Sequence, residues 1–554
     1  MAASSKPTDQ SSHDALPDHQ DFDTMISDAK FTADTRTDLY DRSLTSRRYA
    51  LVGVACSSIF SCLCTVAGIV TLANQGILGV TTIIMVPSSD TQSSLQAETL
   101  SLALNFIVTL CTESIGFVHG ISLHSALASE SRLRFNANLR LLTAARGWYN
   151  PNGAMFNGIS AVLLIISYCS ASLVICIDAS LRHCSFAIAG IPVLVLGVSL
   201  LLQVVIALSG MHAVKILTWS SSPFDLTATL VHHMQLTPAT LRCMRRVSDL
   251  DTYGGPAKPS EIQPSAWHAH PSIRKVVIFL WVIVAACAGW AALVMYIWDR
   301  FQHSDTDVVF GSGSALTQHT WSFFPNEKST YIWYKSSGRM LFSWVNMALI
   351  QGPLTLGLHC SELIANVIRD ERQWRRATGR EGLRILTNPV KTIFTHPICL
   401  ILFVAKPFLH WMFGLAFNLS DNAIEGSLDS LKVNMFAAQI WNLCIALFIF
   451  ACFFTFVALR RPRGPQPAAY GHLQTLANLV DEWSPVMWWG HKEDGIPYCH
   501  AGTSDHPLPD VKMDYVYAGS GSGSLVVREL CRCAVTAVEI VSQIKPVKTS
   551  FTPD

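Results

Sequence analysis

An ionisable side chain in the middle of a long apolar run is costly to bury in hydrocarbon, so it marks a place where chemistry is performed or charges are paired. Glu113 is such a residue. Around it Asn105, Thr109, Thr112, Gly116, His119, Gly120 and His124 recur at spacings of three and four, which puts them on one face of a helix. A second run carries Lys406, His410 and Gly414 on one face, and a third carries Asn346, Gln351, His359 and Glu362. As a polar pathway, Glu113 would carry a proton or cation, and Lys406 would be its counter-charge or an anion site. The competing reading is structural. A buried Glu–Lys pair plus small-residue packing can hold helices together with no transport at all. His124 and His359 lie near the end of their runs, where capping or headgroup contact explains them. Gln203, Gln439 and Asn442 read as interhelical hydrogen-bonding groups.

These residues need helices to position them. The chain has 554 residues, half of them apolar and only 14% charged, against about 25% charged in soluble domains. Mean hydropathy is +0.33. That excludes a disordered protein and an ordinary cytosolic enzyme. A net charge of +1 gives no global field for nucleic acid. Eight runs are long enough to cross a bilayer core about 30 Å thick. They cover about 49–73, 99–125, 154–177, 187–211, 275–298, 340–366, 396–417 and 435–459. The shorter run 76–86 reads as a continuation of the first helix or an interfacial loop. Basic residues crowd alternate connections: Arg132, Arg134, Arg140 and Arg146 in one, Arg369, Arg372, Arg375 and Arg376 in another. The positive-inside rule therefore puts both termini in the cytosol. The plasma membrane is expected over internal membranes. The first 45 residues are polar and mixed in charge, so no cleavable leader is expected there.

The two halves match weakly but in order. Arg47-Arg48 and Arg274-Lys275 open the first and fifth runs. Leu123-His124 and Leu358-His359 close the second and sixth. Asn150-Pro151 and Asn388-Pro389 open the third and seventh, and Ser222–Val231 and Tyr470–Val480 follow the fourth and eighth. The expected fold is an all-α polytopic membrane helix bundle of about eight helices in two parallel four-helix repeats. The boundaries are a disordered cytosolic tail 1–45, a first half 46–211, a cytosolic connection 212–273, a second half 274–459 and a cytosolic tail 460–554. That last tail holds a short amphipathic helix around Leu473, Leu476 and Leu479, expected to lie on the membrane or on a protein partner.

Motifs for other functions fail. Gly519–Ser524 is a flexible linker without the lysine of a phosphate loop. Cys531-Arg-Cys533 lacks a second thiol pair, and Asp249-Leu-Asp251 and Asp305-Thr-Asp307 are pairs of acids that are common by chance. No catalytic motif, cofactor or metal site is expected. The aromatic connection around Trp321, Phe323 and Phe324 reads as a lid packed on the bundle, or as a ligand-binding loop.

Gly464–Trp483, Met487–Lys492 and His500–Ser504 form a string that resembles the tail of large multi-pass integral membrane proteins of filamentous fungi, a family with no assigned biochemical role. The resemblance extends to the exits of the second and sixth runs and covers most of the chain from about residue 45. It implies a fungal source and a membrane location and carries over no site residue. It leaves two functions open: a transporter or channel for a small polar solute or ion, and a scaffold or signalling protein acting through its cytosolic segments.

Overall fold

The structure is a computed structural model. It describes residues 44–76, 80–82, 90–137, 139–178, 185–249, 255–301, 310–316, 321–323, 328–337, 340–385, 396–421 and 430–518. Residues 1–43 of the N-terminal tail, Cys184, Asp251, Asp305-Thr-Asp307, Phe324, Asn388-Pro389, Gly519–Ser524 and Cys531-Arg-Cys533 lie outside the described residues.

Among the described residues the structure is mostly helical, at 64%, and seven helices are long and apolar enough to cross a membrane. Helices are what apolar sequence must form in lipid, because only a helix or a closed barrel satisfies every backbone N–H and C=O internally. The first group is α1 (Leu44–Gln75), α2 (Asp90–Ser129), α3 (Ala154–Leu173) and α4 (Gly190–His212). Helix α4 packs on all three others. Its approach to α1 is close: Ser61 Oγ donates to the Gly197 carbonyl at 2.5 Å, and a Cβ on Gly197 would stand 2.6 Å from the Thr65 nitrogen. After α5 (Pro223–His232) and the single turn α6 (Ala266–Ala269) comes a second group. It comprises α7 (Pro271–Phe301), α8 (Met340–Cys360), α9 (Glu362–Trp374), α10 (Pro397–Ala416) and α11 (Ala437–Leu459). Ser361 breaks the sixth run, so α9 is a separate helix and not the end of α8. Contacts between the groups run from α2 to α10, from α3 to α8 and from α3 to α10.

The all-α expectation is corrected by strands outside the helices. Strand β1 (Val80–Thr82) follows α1, β2 (Ile175–Asp178) follows α3 and β3 (Ser185–Ala189) leads into α4. They form an antiparallel sheet in the order β1-β3-β2, with Val80 opposite Ala189 and Ile175 opposite Ile188. Residues 80–82 therefore neither extend α1 nor form a loop; Gly76, at φ +78°, ends that helix. In the second group, β4 (Phe310–Leu316) and β5 (Lys328–Ser337) follow α7, β7 (Phe417–Asp421) follows α10 and β8 (Ser430–Phe436) leads into α11. Their order is β4-β5-β8-β7.

At the opposite end sits a cap. Strands β9 (Val486–Glu493) and β10 (His500–Ser504) pair with each other, and β6 (Leu383–Arg384) adds to β9. Phe224, Cys243, Trp374, Leu476, Trp489 and Tyr517 are buried together beneath them. The short helix α12 (Leu473–Leu479) packs on α5, with Leu473, Leu476 and Leu479 buried inside the chain. The expectation that this apolar face lies on a membrane or a partner is corrected, since α5 covers it. The acidic exit of α9 fastens the cap: Glu371 Oε2 accepts from the Ala469 and Tyr470 nitrogens at 2.9 and 2.8 Å, and Asp370 Oδ2 accepts from Asn136 Nδ2 at 2.9 Å.

Candidate functional site: a charge cluster between the two helix groups

Lys406 lies on α10 directly before Pro407. A proline lacks the N–H that would bond the carbonyl four residues back, so the Phe403 carbonyl loses its helical donor just below the lysine. The Lys406 ammonium donates to Glu113 Oε1 from α2 and to Glu362 Oε1 from α9. His359, on the last turn of α8, places Nδ1 3.4 Å from the ammonium and 2.9 Å from Glu362 Oε1. Four helices from both groups thus converge on one cation. The ammonium is enclosed, with 2% of its side chain exposed, whereas Glu113 keeps 33% and Glu362 keeps 26%. The carboxylates open to accessible surface and the lysine does not.

That surface has a direction. Glu113, Gly116, Gly120 and His124 are the partly exposed residues of one α2 face, and Glu362, Asn366 and Arg369 are those of one α9 face. Both helices pack on α10. A Cβ on Gly120 would meet nothing within 4 Å. The strip leads from the two carboxylates toward the end that bears the cap. Arg140, from the connection after α2, rests its guanidinium against Gly116 and is drawn by both Glu362 and Glu113.

On the other side the seam is closed. His410 stacks on Tyr168 at 3.8 Å, and its Nδ1 accepts from Gln351 Nε2 at 3.1 Å. The Tyr168 hydroxyl meets Thr109 and Thr112 at 3.1 and 3.2 Å. Above them the Trp321 ring packs on Phe408 and Trp411 at 5.4 and 5.6 Å. The Trp321 nitrogen donates to Glu98 Oε2 at 3.2 Å, and Gln439 Nε2 donates to the Trp321 carbonyl at 3.0 Å. Asn442 Nδ2 donates to Ser322 Oγ at 3.0 Å. Trp321 therefore packs as the lid alternative expects, whereas Phe323 stays 42% exposed. Gln439 and Asn442, read as interhelical groups, also bind the 321–323 segment.

Glu113, Lys406 and His359 come together, with His410 one turn further along α10. Asn105 turns away: its amide donates to the Ser101 carbonyl of its own helix at 2.9 Å. His119 is buried beside Asn157 and Arg140, and His124 lies about 16 Å along α2 from Glu113 by helical rise. The capping explanation of His359 is corrected, because its ring belongs to the cluster. Sequence reading named Glu362 in the sixth run but did not place it among the site residues, since it lies near the end of that run. The signal was its i,i+3 spacing from His359, which sets both on one helix face. Tyr168 and Arg140 gave no such signal.

Glu113, His359 and Glu362 each offer a ligand atom, and the three atoms lie within 4.8 Å of one another. One imidazole and two carboxylates suit a divalent first-row cation, but the Lys406 ammonium stands among them, so such an ion would have to take its place. No protein-family model, curated protein or solved structure matches this chain.

Proposed function

We propose that the chain is a transporter or channel for a small polar solute or ion, with the Glu113–Lys406–Glu362 cluster in its pathway. The observation that carries this reading is an enclosed ammonium held by two carboxylates that remain open to one side, at the meeting of helices from both halves.

Counting the 21-residue α8 as a crossing brings the bundle to eight, and an even number returns both termini to one side. Basic residues make that side the cytosol, and the plasma membrane is the favoured location. The parallel repeat is supported by topology. In each half the strand after the first helix pairs with the strand before the fourth, which pairs with the strand after the third. First and fourth helices pack in both halves, as do third and fourth. Across the halves, the second helix of each meets the third of the other: α2 with α10 and α8 with α3. That exchange is what an axis along the membrane normal produces, and the cluster lies near such an axis. The resemblance to fungal multi-pass membrane proteins agrees with this reading.

The second reading, a scaffold acting through 460–554, has its own observation. Ile496 stands 99% exposed on the cap, with Tyr515 at 48%, which suits a cytosolic protein partner. Expression-matched E113Q and Ile496→Ser separate the two in cells that depend on the protein. Loss of phenotype in E113Q alone supports transport; loss in Ile496→Ser alone supports the scaffold.

A further inference from the structure

A cavity of about 560 Å³ opens at the cap end of the seam, within the size range of ligand sites. One turn after another of α3 faces it with small residues, Ala154, Gly158 and Ala161. Val276 and Phe279 of α7 and Leu356 of α8 complete an apolar trough. Two cations border it: Arg140, from the connection after α2, and Lys275, on the first turns of α7. Neither belongs to any ion pair among the described residues, although Glu362 and Glu113 draw Arg140 from the seam side.

We infer that this trough binds one anionic phospholipid, its phosphodiester on Arg140 and Lys275 and an acyl chain along Gly158 and Phe279. The trough lies between α3 and α7, one helix from each half, at the end where basic residues collect. There a lipid headgroup and its tail arrive together. The planar guanidinium matches phosphate oxygens with two parallel donors, and the lysine adds a point charge from the opposite helix. Basic pockets between spanning helices on the cytosolic side recognise anionic headgroups by this chemistry. The site adjoins the Glu113–Lys406 cluster, whose carboxylates also draw Arg140, and its occupancy does not depend on whether the protein transports anything.

The test is native mass spectrometry of the full-length protein in detergent, titrated separately with phosphatidylserine, with phosphatidylcholine of the same acyl chains and with oleate. The expected result is one retained phosphatidylserine at a concentration at least about tenfold below that for phosphatidylcholine or oleate. Lys275→Gln, on an exposed turn, lowers that preference several-fold, and Arg140→Gln lowers it further. Gly158→Leu is the steric probe. A Cβ there meets nothing within 4 Å, and leucine favours a helix more than glycine does. The leucine side chain fills the trough and abolishes retention with the thermal midpoint unchanged or raised. Equal retention of phosphatidylserine and phosphatidylcholine overturns the proposal. So does tighter retention of oleate, or a preference that survives Lys275→Gln and Arg140→Gln.

Discussion

Lys406 is the residue on which the centre of the bundle depends. It compensates two carboxylates from two helices, so removing it leaves both acids facing one another without a counter-ion. Breaking a buried pair by deleting one partner costs about 3–5 kcal/mol, and the partial exposure of both acids puts this case near about 3. Lys406→Met, which keeps the volume, is expected to lower stability by that amount in a denaturant or thermal titration. Adding E113Q and Glu362→Gln to the same chain should recover most of the loss, because what destabilises is the unpaired charge. A Lys406→Met protein as stable as wild type would show that the ammonium does not hold these acids. Glu113 and Lys406 were legible in the sequence because a charge in an apolar run is conspicuous. Glu362 was visible in the sixth run but was not singled out, since it lies close to the charged exit at Arg369, Asp370 and Glu371.

Among the elements, the junction between bundle and cap is built to be sensitive to acid. His270 and His472 flank the Phe135 ring at 4.2 and 4.8 Å. Each uses Nδ1 as an acceptor, His270 from the Ser272 nitrogen at 3.2 Å and His472 from the Thr475 nitrogen at 3.2 Å, where it caps α12. Burial pushes both imidazoles down to about 4. The unfolded chain then binds protons that the folded chain refuses, so stability present at neutral pH is lost as pH falls from about 6.5 toward 4. Hydrogen exchange in α12 and the strands of the cap should accelerate through that window. His472→Asn, which preserves a capping acceptor without the titration, should weaken the response and leave the His270 share. A flat wild-type profile between pH 7 and 4 would contradict the assignment. The α1–α4 contact offers a control elsewhere: Gly197→Val forces a branched side chain against the Ser61 and Thr65 backbone and should cost at least about 2 kcal/mol by thermal unfolding. The helices were readable from apolar runs alone. What covers α12 was not, because an amphipathic spacing states that a face is buried and never by what. The strands were missed because segments such as Val80–Thr82 are too short to show an alternation.

For the molecule as a whole, low charge content and long apolar runs already implied a multi-pass helical bundle, and the repeated landmarks led to the proposal of two related halves. The closed segment at Trp321 and the open strip at Gly120 lay beyond that reading, because both depend on which residues of distant connections meet. The account makes one demand on the intact protein: the seam must need an ionisable carboxylate at Glu113. The direct measurement is uptake into vesicles that hold wild type or E113Q at equal insertion, with protons followed by an internal pH dye and sodium, potassium and small neutral polyols followed by tracer. Wild type should pass at least one of these probes, and E113Q, equally stable in detergent, should pass it at least about tenfold more slowly, a barrier change of about 1.4 kcal/mol. Equal flux through the two proteins would contradict the account.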